Sequence, residues 1–317
     1  MRPHSNSITA AASRAAMLSM APMAPAYQGL LDALRAHGIE PADPGEVVAD
    51  GVLHRFQIEG DKRGSRNGWA VLHQDHGAAG SWKSGVTCTW SAKATAKMTR
   101  QEKDEHYSRV RQAQATAQRQ READHQAAAE RASMLWAKAT PAMAEHPYLV
   151  KKRIPPGHAR QAGDLLVLKI EDVNGNTRSL QYIGPDGVKR MLSGGAKRGH
   201  FIIVAGLLPA PIVVIAEGWA TAMTASSQFP GACTLAAVDA GNLEPVALAI
   251  RGKYPAAEIV ICADDDRCTD GNPGLTKARA AAAAVHGKLC RPVWPPGIPL
   301  EASDLNDVAV YLEANNA

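Results

Sequence analysis

Two apolar runs, each closing on acid, constrain the fold of this 317-residue chain more than any other feature. The first is Ile212-Val-Val-Ile-Ala-Glu217-Gly218, and the second is Ile259-Val-Ile-Cys-Ala-Asp264-Asp265-Asp266. Neither alternates with polar residues. Continuous β-branched runs of this kind read as strands buried on both faces, as in a parallel sheet covered by helices. Ligands of such sheets bind in the crevice outside the carboxyl ends of the strands, where Glu217, Asp264 and Asp266 fall. Clustered carboxylates need a cation. Oxygen ligands suit Mg²⁺ or Mn²⁺, which keep several waters and also bind substrate phosphates.

Between and beyond these runs the pattern continues as α/β. Trp219 to Phe229 reads as a helix and Thr234 to Val238 as a strand, ending at Asp239-Ala-Gly-Asn242. Asp239 and Asn242 either line the cleft or cap the next helix; both readings stay open. An Ala-rich helix comes after Asp266, and its first amides suit a phosphate, with Lys277 as the nucleotide contact. Val308 to Ala314 reads as a terminal packing helix.

Upstream, Asp164 to Ile170 and Ser179 to Ile183 read as strands joined by the tight turn Asn174-Gly175-Asn176. The densest basic, glycine-rich stretch then runs from Lys189 to His200. Glycines let backbone approach phosphates while cations supply charge, which makes Lys189, Arg190, Lys197 and Arg198 candidates to hold nucleotide or nucleic acid. A solvated surface hairpin is the alternative. A basic strip leading directly into an acidic site is what phosphoryl transfer needs.

Nearer the start, residues 1 to 26 read as a disordered tail and Tyr27 to Gly38 as a short helix. Short runs from Val47 to Trp90, including Gly51 to Phe56, Gly68 to His73 and Gly80 to Gly85, predict a small antiparallel sheet. A basic turn carrying Lys62, Arg63 and Arg66 lies among Trp69, Trp82 and Trp90. That mixture fits a base-stacking, phosphate-tracking surface, or equally an aromatic core beside a solvated loop. Lys97 to Ala139 is rich in helix formers and polar nearly all round, so it predicts one long helix acting as a spacer, with Met134-Leu-Trp136 docking on the next domain.

Net charge of +4 and a pI near 8.8 are too mild to imply nucleic-acid binding by themselves. The five cysteines form no paired Cys-x-x-Cys set, so no zinc is expected and cytoplasmic, reduced thiols are. No apolar run reaches membrane-spanning length.

The Glu217-Gly218 pair, the Asp264-x-Asp266 pair and Asp304-Leu-Asn306-Asp307, in that order, resemble the Toprim domain shared by DnaG-type primases, topoisomerases and some nucleases. Asn306 stands where an acid is often found, which weakens a metal role there. The segment from Tyr148 to Phe201 resembles the basic subdomain before Toprim in DnaG-type primases. Asp50 to Gly85 resembles the N-terminal module of primases carried by conjugative plasmids, integrating elements and phages, and favours the nucleic-acid-binding reading of the basic turn. The resemblance implies an α/β chain: a Toprim domain (Rossmann-like parallel sheet with flanking helices, 209–317), preceded by a basic α+β subdomain (141–208), a helical linker (96–140) and a β-rich module (27–95). It further implies a magnesium-dependent primase acting on single-stranded DNA and ribonucleoside triphosphates, with Glu217, Asp264 and Asp266 catalytic, these and Asp304 holding metal. A separate replicative helicase is an implied partner, since no Gly-x-x-x-x-Gly-Lys-Ser/Thr loop is present. A Toprim nuclease and a non-catalytic single-strand-binding protein are the rival readings.

Overall fold

A computed structural model describes residues 25–73, 76–92 and 99–315; most of the expected N-terminal tail lies outside the described residues. The chain divides into two compact units, 1–121 and 122–317.

In the first unit, α1 (Pro25–Ala36) buries Leu30, Leu31 and Leu34 and exits through Gly38 at φ +71°. Strands β1 (Leu53–Phe56), β2 (Gly68–Leu72), β3 (His76–Ser81) and β4 (Thr87–Ser91) form an antiparallel sheet in sequential order. The third expected strand is displaced. Residues 82–84 form a turn, and β3 is the small-residue run before it, whose Gly and Ala carry little β-propensity. The sheet is covered on both faces: Phe56, Ala70, Leu72 and Ala79 pack with α1, while Trp69, Val71 and Ala78 pack against Ala113 and Ala117.

Those two alanines belong to α2 (Arg100–Lys138), the long helix expected from composition. It is not a bare spacer. In the second unit its Ala132 packs with Ala139, Val167 and Leu180. Alanine adds little to an apolar stripe in sequence, yet its small side chain is what lets a helix backbone approach a sheet.

The second unit continues with β5 (Thr140–Pro141), α3 (Pro147–Lys152), β6 (Arg160–Ala162), β7 (Leu165–Glu171), β8 (Thr177–Ile183) and β9 (Lys189–Met191), the strands forming an antiparallel sheet in that order. Gly175, at φ +82°, makes the tight turn between β7 and β8. The chain then runs through β10 (Ile202–Ala205), β11 (Ile212–Ala216), α4 (Trp219–Gln228), β12 (Cys233–Ala236), α5 (Leu243–Lys253), β13 (Glu258–Cys262), α6 (Pro273–Ala284), β14 (Lys288–Cys290) and α7 (Leu305–Asn315). The second sheet has the order β10-β12-β11-β13-β14, parallel except at β10. Its strands bury alternate residues in opposite layers. Val214, Ala216, Val260 and Cys262 join α4 and the antiparallel sheet; Val213, Ile215, Ile259 and Ile261 join α5 and α6. Both layers are apolar, which is why the runs show no polar alternation. Among the described residues no helix is long and apolar enough to cross a membrane.

Ala132 is fully buried whereas Ala127 is exposed. Ala132→Leu is expected to cost about 1–3 kcal/mol through overpacking, and Ala127→Leu to be near neutral; urea unfolding of the two variants measures the difference.

Candidate active site

Strand β11 sits between β12 and β13, so the chain leaves it first to one side and later reaches the other. The crevice at the carboxyl ends of β11 and β13 is therefore a topological switch point. Glu217 directly follows β11, and Asp264 lies two residues beyond β13. Aligned parallel register, Ala216 opposite Cys262, brings these ends to the same edge.

Asp264 is the most perturbed acid. Burial pushes its carboxyl up to about 8, and Glu217, Asp304 and Asp266 add to the effect against the opposing charge of Lys189. Its Oδ1 is buried with no hydrogen-bond partner. Glu217 is also raised, first by burial, then by Asp266 and Asp239, while the Ala240 N–H and Lys189 pull the other way. Asp264, Glu217, Asp266 and Asp304 thus share one field, and Asp239 adds to it through Glu217.

The other acids of the motifs are more heavily used by the fold. Asp266 Oδ2 accepts the Gly274 N–H at 2.9 Å, capping α6. Gly274 is required there, because a Cβ would stand 2.8 Å from both Asp264 O and Asp266 Oδ2. Asp265 accepts from Asn272 Nδ2 at 2.6 Å and Trp294 Nε1 at 3.0 Å, so it braces the loop. Asp304 receives the Thr221 hydroxyl at 3.0 Å and the Asp307 N–H at 2.8 Å, making it the cap of α7. Capping and site formation coexist in these residues. Asn306 is buried: its Nδ2 donates to Lys152 O at 2.8 Å and Thr224 Oγ1 at 3.0 Å. An amide joins α3, α4 and α7 there, where a carboxylate would face a carbonyl. Asp307 pairs with Lys152 at 3.2 Å.

Among the expected cations, Lys189 reaches the cleft. Its Nζ lies 3.7 Å from where a Cβ on Gly218 would stand, and its charge acts on both Glu217 and Asp264. Arg190 is exposed in β9. Lys197 is ion-paired with Asp239, so neither residue is free in the way the sequence implied. Arg198 has no side-chain partner among the described residues and stays available. Lys277 is exposed on α6 with no side-chain partner among the described residues, and no interaction joins it to the four acids.

Neither Asp239 nor Asn242 makes the side-chain cap considered from sequence. Asn242 instead donates to Lys197 O at 3.1 Å, His200 O at 2.9 Å and Ala237 O at 2.8 Å, and accepts the Gly199 N–H at 2.8 Å. It clamps the glycine-rich basic loop to the edge of the parallel sheet. Thr221 was missed as a positioning residue, since a lone Thr carries no signal until the segments it joins are brought together.

In the first unit, Lys62 and Arg63 are exposed at the basic turn. Arg66 is tied down, donating to Glu46 at 2.9 Å and to Arg55 O. Of the three tryptophans around the basic turn, Trp69 takes the core role that was the alternative to a stacking surface. Trp69 is buried in the core, Trp90 packs on the α1 cluster, and Trp82 lies under the Arg55 guanidinium at 4.6 Å. The sheet needs large side chains to fill its two faces, and the tryptophans do so.

Among the described residues no three His, Cys, Asp or Glu side chains are close enough together to enclose a metal ion by themselves. A hydrated divalent ion fits better. Mg²⁺ is commonly held by one or two carboxylates, with waters and substrate phosphates completing its shell, and the unpartnered oxygen of Asp264 beside Glu217 is a donor set of that kind.

A family model described as the Toprim domain matches residues 212–312. Over 281 residues, 84% of the chain, the sequence is 37% identical to a DNA primase TraC of Escherichia coli, covering 26% of that protein. A second Escherichia coli DNA primase TraC is 37% identical over 283 residues, 84% of this chain and 19% of its own length. The chain therefore spans about a quarter or less of the curated relatives it matches. The primase fragment of the bacteriophage T7 primase-helicase superposes with a TM-score of 0.39 at 14% identity, covering 57% of this chain and 74% of that one.

The site's electrostatics set two outcomes. Because folding raises the Asp264 carboxyl, the native state binds more protons than the unfolded chain between about pH 4 and pH 8, so stability falls as pH rises through that window. Asp264→Asn removes the charge; in metal-free buffer it is expected to melt higher than wild type at pH 8, the gap closing towards pH 4, as scanning calorimetry reads. Asn306→Asp is expected to destabilise by about 1–3 kcal/mol, because both donated hydrogen bonds are lost in a buried site; equilibrium denaturation checks this.

Proposed function

We propose that this chain is the primer-synthesising segment of a DNA primase of the mobile-element kind, making short RNA primers on single-stranded DNA. Its Toprim domain and its similarity to the TraC primases support the reading. The observation that carries it is Asp264, an acid held at the switch-point crevice with an unpartnered buried oxygen, its carboxyl raised first by burial and then by three neighbouring carboxylates. Such a group is poised for a cation in a way that a surface capping acid is not.

Primer synthesis joins a 3′-hydroxyl to the α-phosphorus of the next ribonucleotide and releases pyrophosphate. Asp264 and Glu217 would hold Mg²⁺ or Mn²⁺, with Asp266 and Asp304 adding negative field from positions fixed by α6 and α7. A divalent ion bound there stabilises charge on the attacking and leaving oxygens. Lys189, at the rim, binds the phosphates of the incoming nucleotide, and the exposed Arg190 and Arg198 hold the template or the nucleotide beside it. Lys62 and Arg63 give the first unit a contact for the single strand, and a separate helicase would supply that strand. Lys277 stands apart from this constellation.

The test is incubation with single-stranded DNA, labelled ribonucleotides and Mg²⁺. Short labelled oligoribonucleotides are expected from wild type, at least about a hundredfold fewer from Asp264→Asn or Glu217→Gln, about tenfold fewer from Lys189→Ala, and a wild-type yield from Lys277→Ala. Metal-dependent shortening of the DNA without RNA product would make the protein a Toprim nuclease. DNA bound, with neither product, would make it a binding protein.

A further inference from the structure

The first unit holds a cavity of about 610 Å³ between the facing ends of β2 and β3 and the leading half of α2. Its polar lining is Asp50, His73, His76, Arg109, Gln112 and Thr116, and its apolar lining includes Val71 and Ala113. None of these residues belongs to the acidic crevice. At this size the cavity lies within the range that holds small organic ligands.

Three features shape it. The His73 and His76 rings are stacked, 4.6 Å between centroids and 11° apart, with His76 buried at 6% exposure and His73 exposed, so a planar stack runs from the core to the surface. Gly51 forms the wall beside it. Its φ of +76° suits glycine, and a Cβ there would come within 2.6 Å of His73 Cε1, so any larger residue would invade the imidazole. Asp50 is oriented by the Val52 N–H at 2.8 Å and by His54 Nε2 at 2.9 Å. Across from them, Arg109, Gln112, Ala113 and Thr116 recur at helical spacing along one face of α2. That face seals onto the sheet through Ala113 and Ala117, yet carries a guanidinium, an amide and a hydroxyl where apolar groups would close the gap.

The chemistry selects the guest. A lipid or apolar ligand would leave this many polar groups dry, and no three His, Cys, Asp or Glu among the described residues gather for a metal. Planar rings, an amide, a carboxylate and a cation together suit a flat heteroaromatic base joined to a phosphate. We propose that this pocket binds one nucleotide unit of single-stranded nucleic acid, its base against the histidine pair and Gln112 and its phosphate on Arg109. Arg109 lies on the exposed side of α2, 3.7 Å from Glu105, and brings positive charge to the pocket wall. The site stands independently of the chemistry assigned to the Toprim domain.

The experiment is photo-crosslinking of the full chain to an oligodeoxynucleotide carrying 5-iodouracil, without ribonucleotides or Mg²⁺, followed by peptide mapping. Crosslinks within 70–76 or 109–116 are expected. His73→Ala should lower their yield at least about fivefold, the loss of one base-stacking contact, and His73→Phe, which keeps a stacking ring, should restore it. Crosslinks that survive excess ribonucleoside triphosphate assign the pocket to the strand; crosslinks that the free nucleotide removes assign it to a nucleotide, and both support a base site. Crosslinks absent from both segments, or unchanged in His73→Ala, overturn it, whatever the acidic crevice does in a synthesis assay.

Discussion

Burying a carboxylate beside three others is costly, because the charge loses water and meets repulsion in a medium that screens it poorly. At the carboxyl end of β13 this chain accepts that cost at Asp264 and distributes its relief unevenly. Asp266 and Asp304 are satisfied by helix amides and a threonine hydroxyl, and Lys189 brings an opposing charge from the neighbouring sheet. Asp264 Oδ1 receives no hydrogen bond. The surrounding fold is therefore arranged to hold an acid that stays electrostatically incomplete, which is the demand a cation or a substrate phosphate with its counter-ion meets.

Holding such a centre requires that the elements around it not drift, and the second unit provides this in two ways. A single apolar cluster runs from Tyr148, Leu168 and Ile183 of the antiparallel part through to Val214, Trp219 and Val260 of the parallel part. Polar stitches then fix orientation at the rim: Asn242 holds the basic loop, Lys197 pairs with Asp239, and Asn306 and Lys152 tie α7 to α3. The basic subdomain is thus a wall of the acidic crevice, which explains how Lys189, far from Glu217 in sequence, influences it.

How much was legible depended on whether a property is carried by one segment or by several. The uninterrupted runs 212–216 and 259–263 declare strands buried on both faces, and the acids after them mark the crevice edge, because strand burial and strand-end position are both local to the run. The long helix was equally legible, its alanine contacts were not: Ala113, Ala117 and Ala132 acquire an apolar role only when a sheet lies against them. Trp69 was ambiguous for the same reason. Composition cannot tell a stacking platform from a core, and Trp69 went to the core because both faces of β2 are covered.

The sequence by itself determined the class of sheet, the order of the acids along the chain and the sign of charge on the strip that precedes them, since each follows from residue type and spacing. Only the tertiary structure decided which of those acids remain unsatisfied and which cations meet them. Hydrogen-bond partners such as Gly274 for Asp266, Thr221 for Asp304 and Asp239 for Lys197 come from separate segments. Burial at Asp264 likewise arises from everything packed around it, and no local pattern records it.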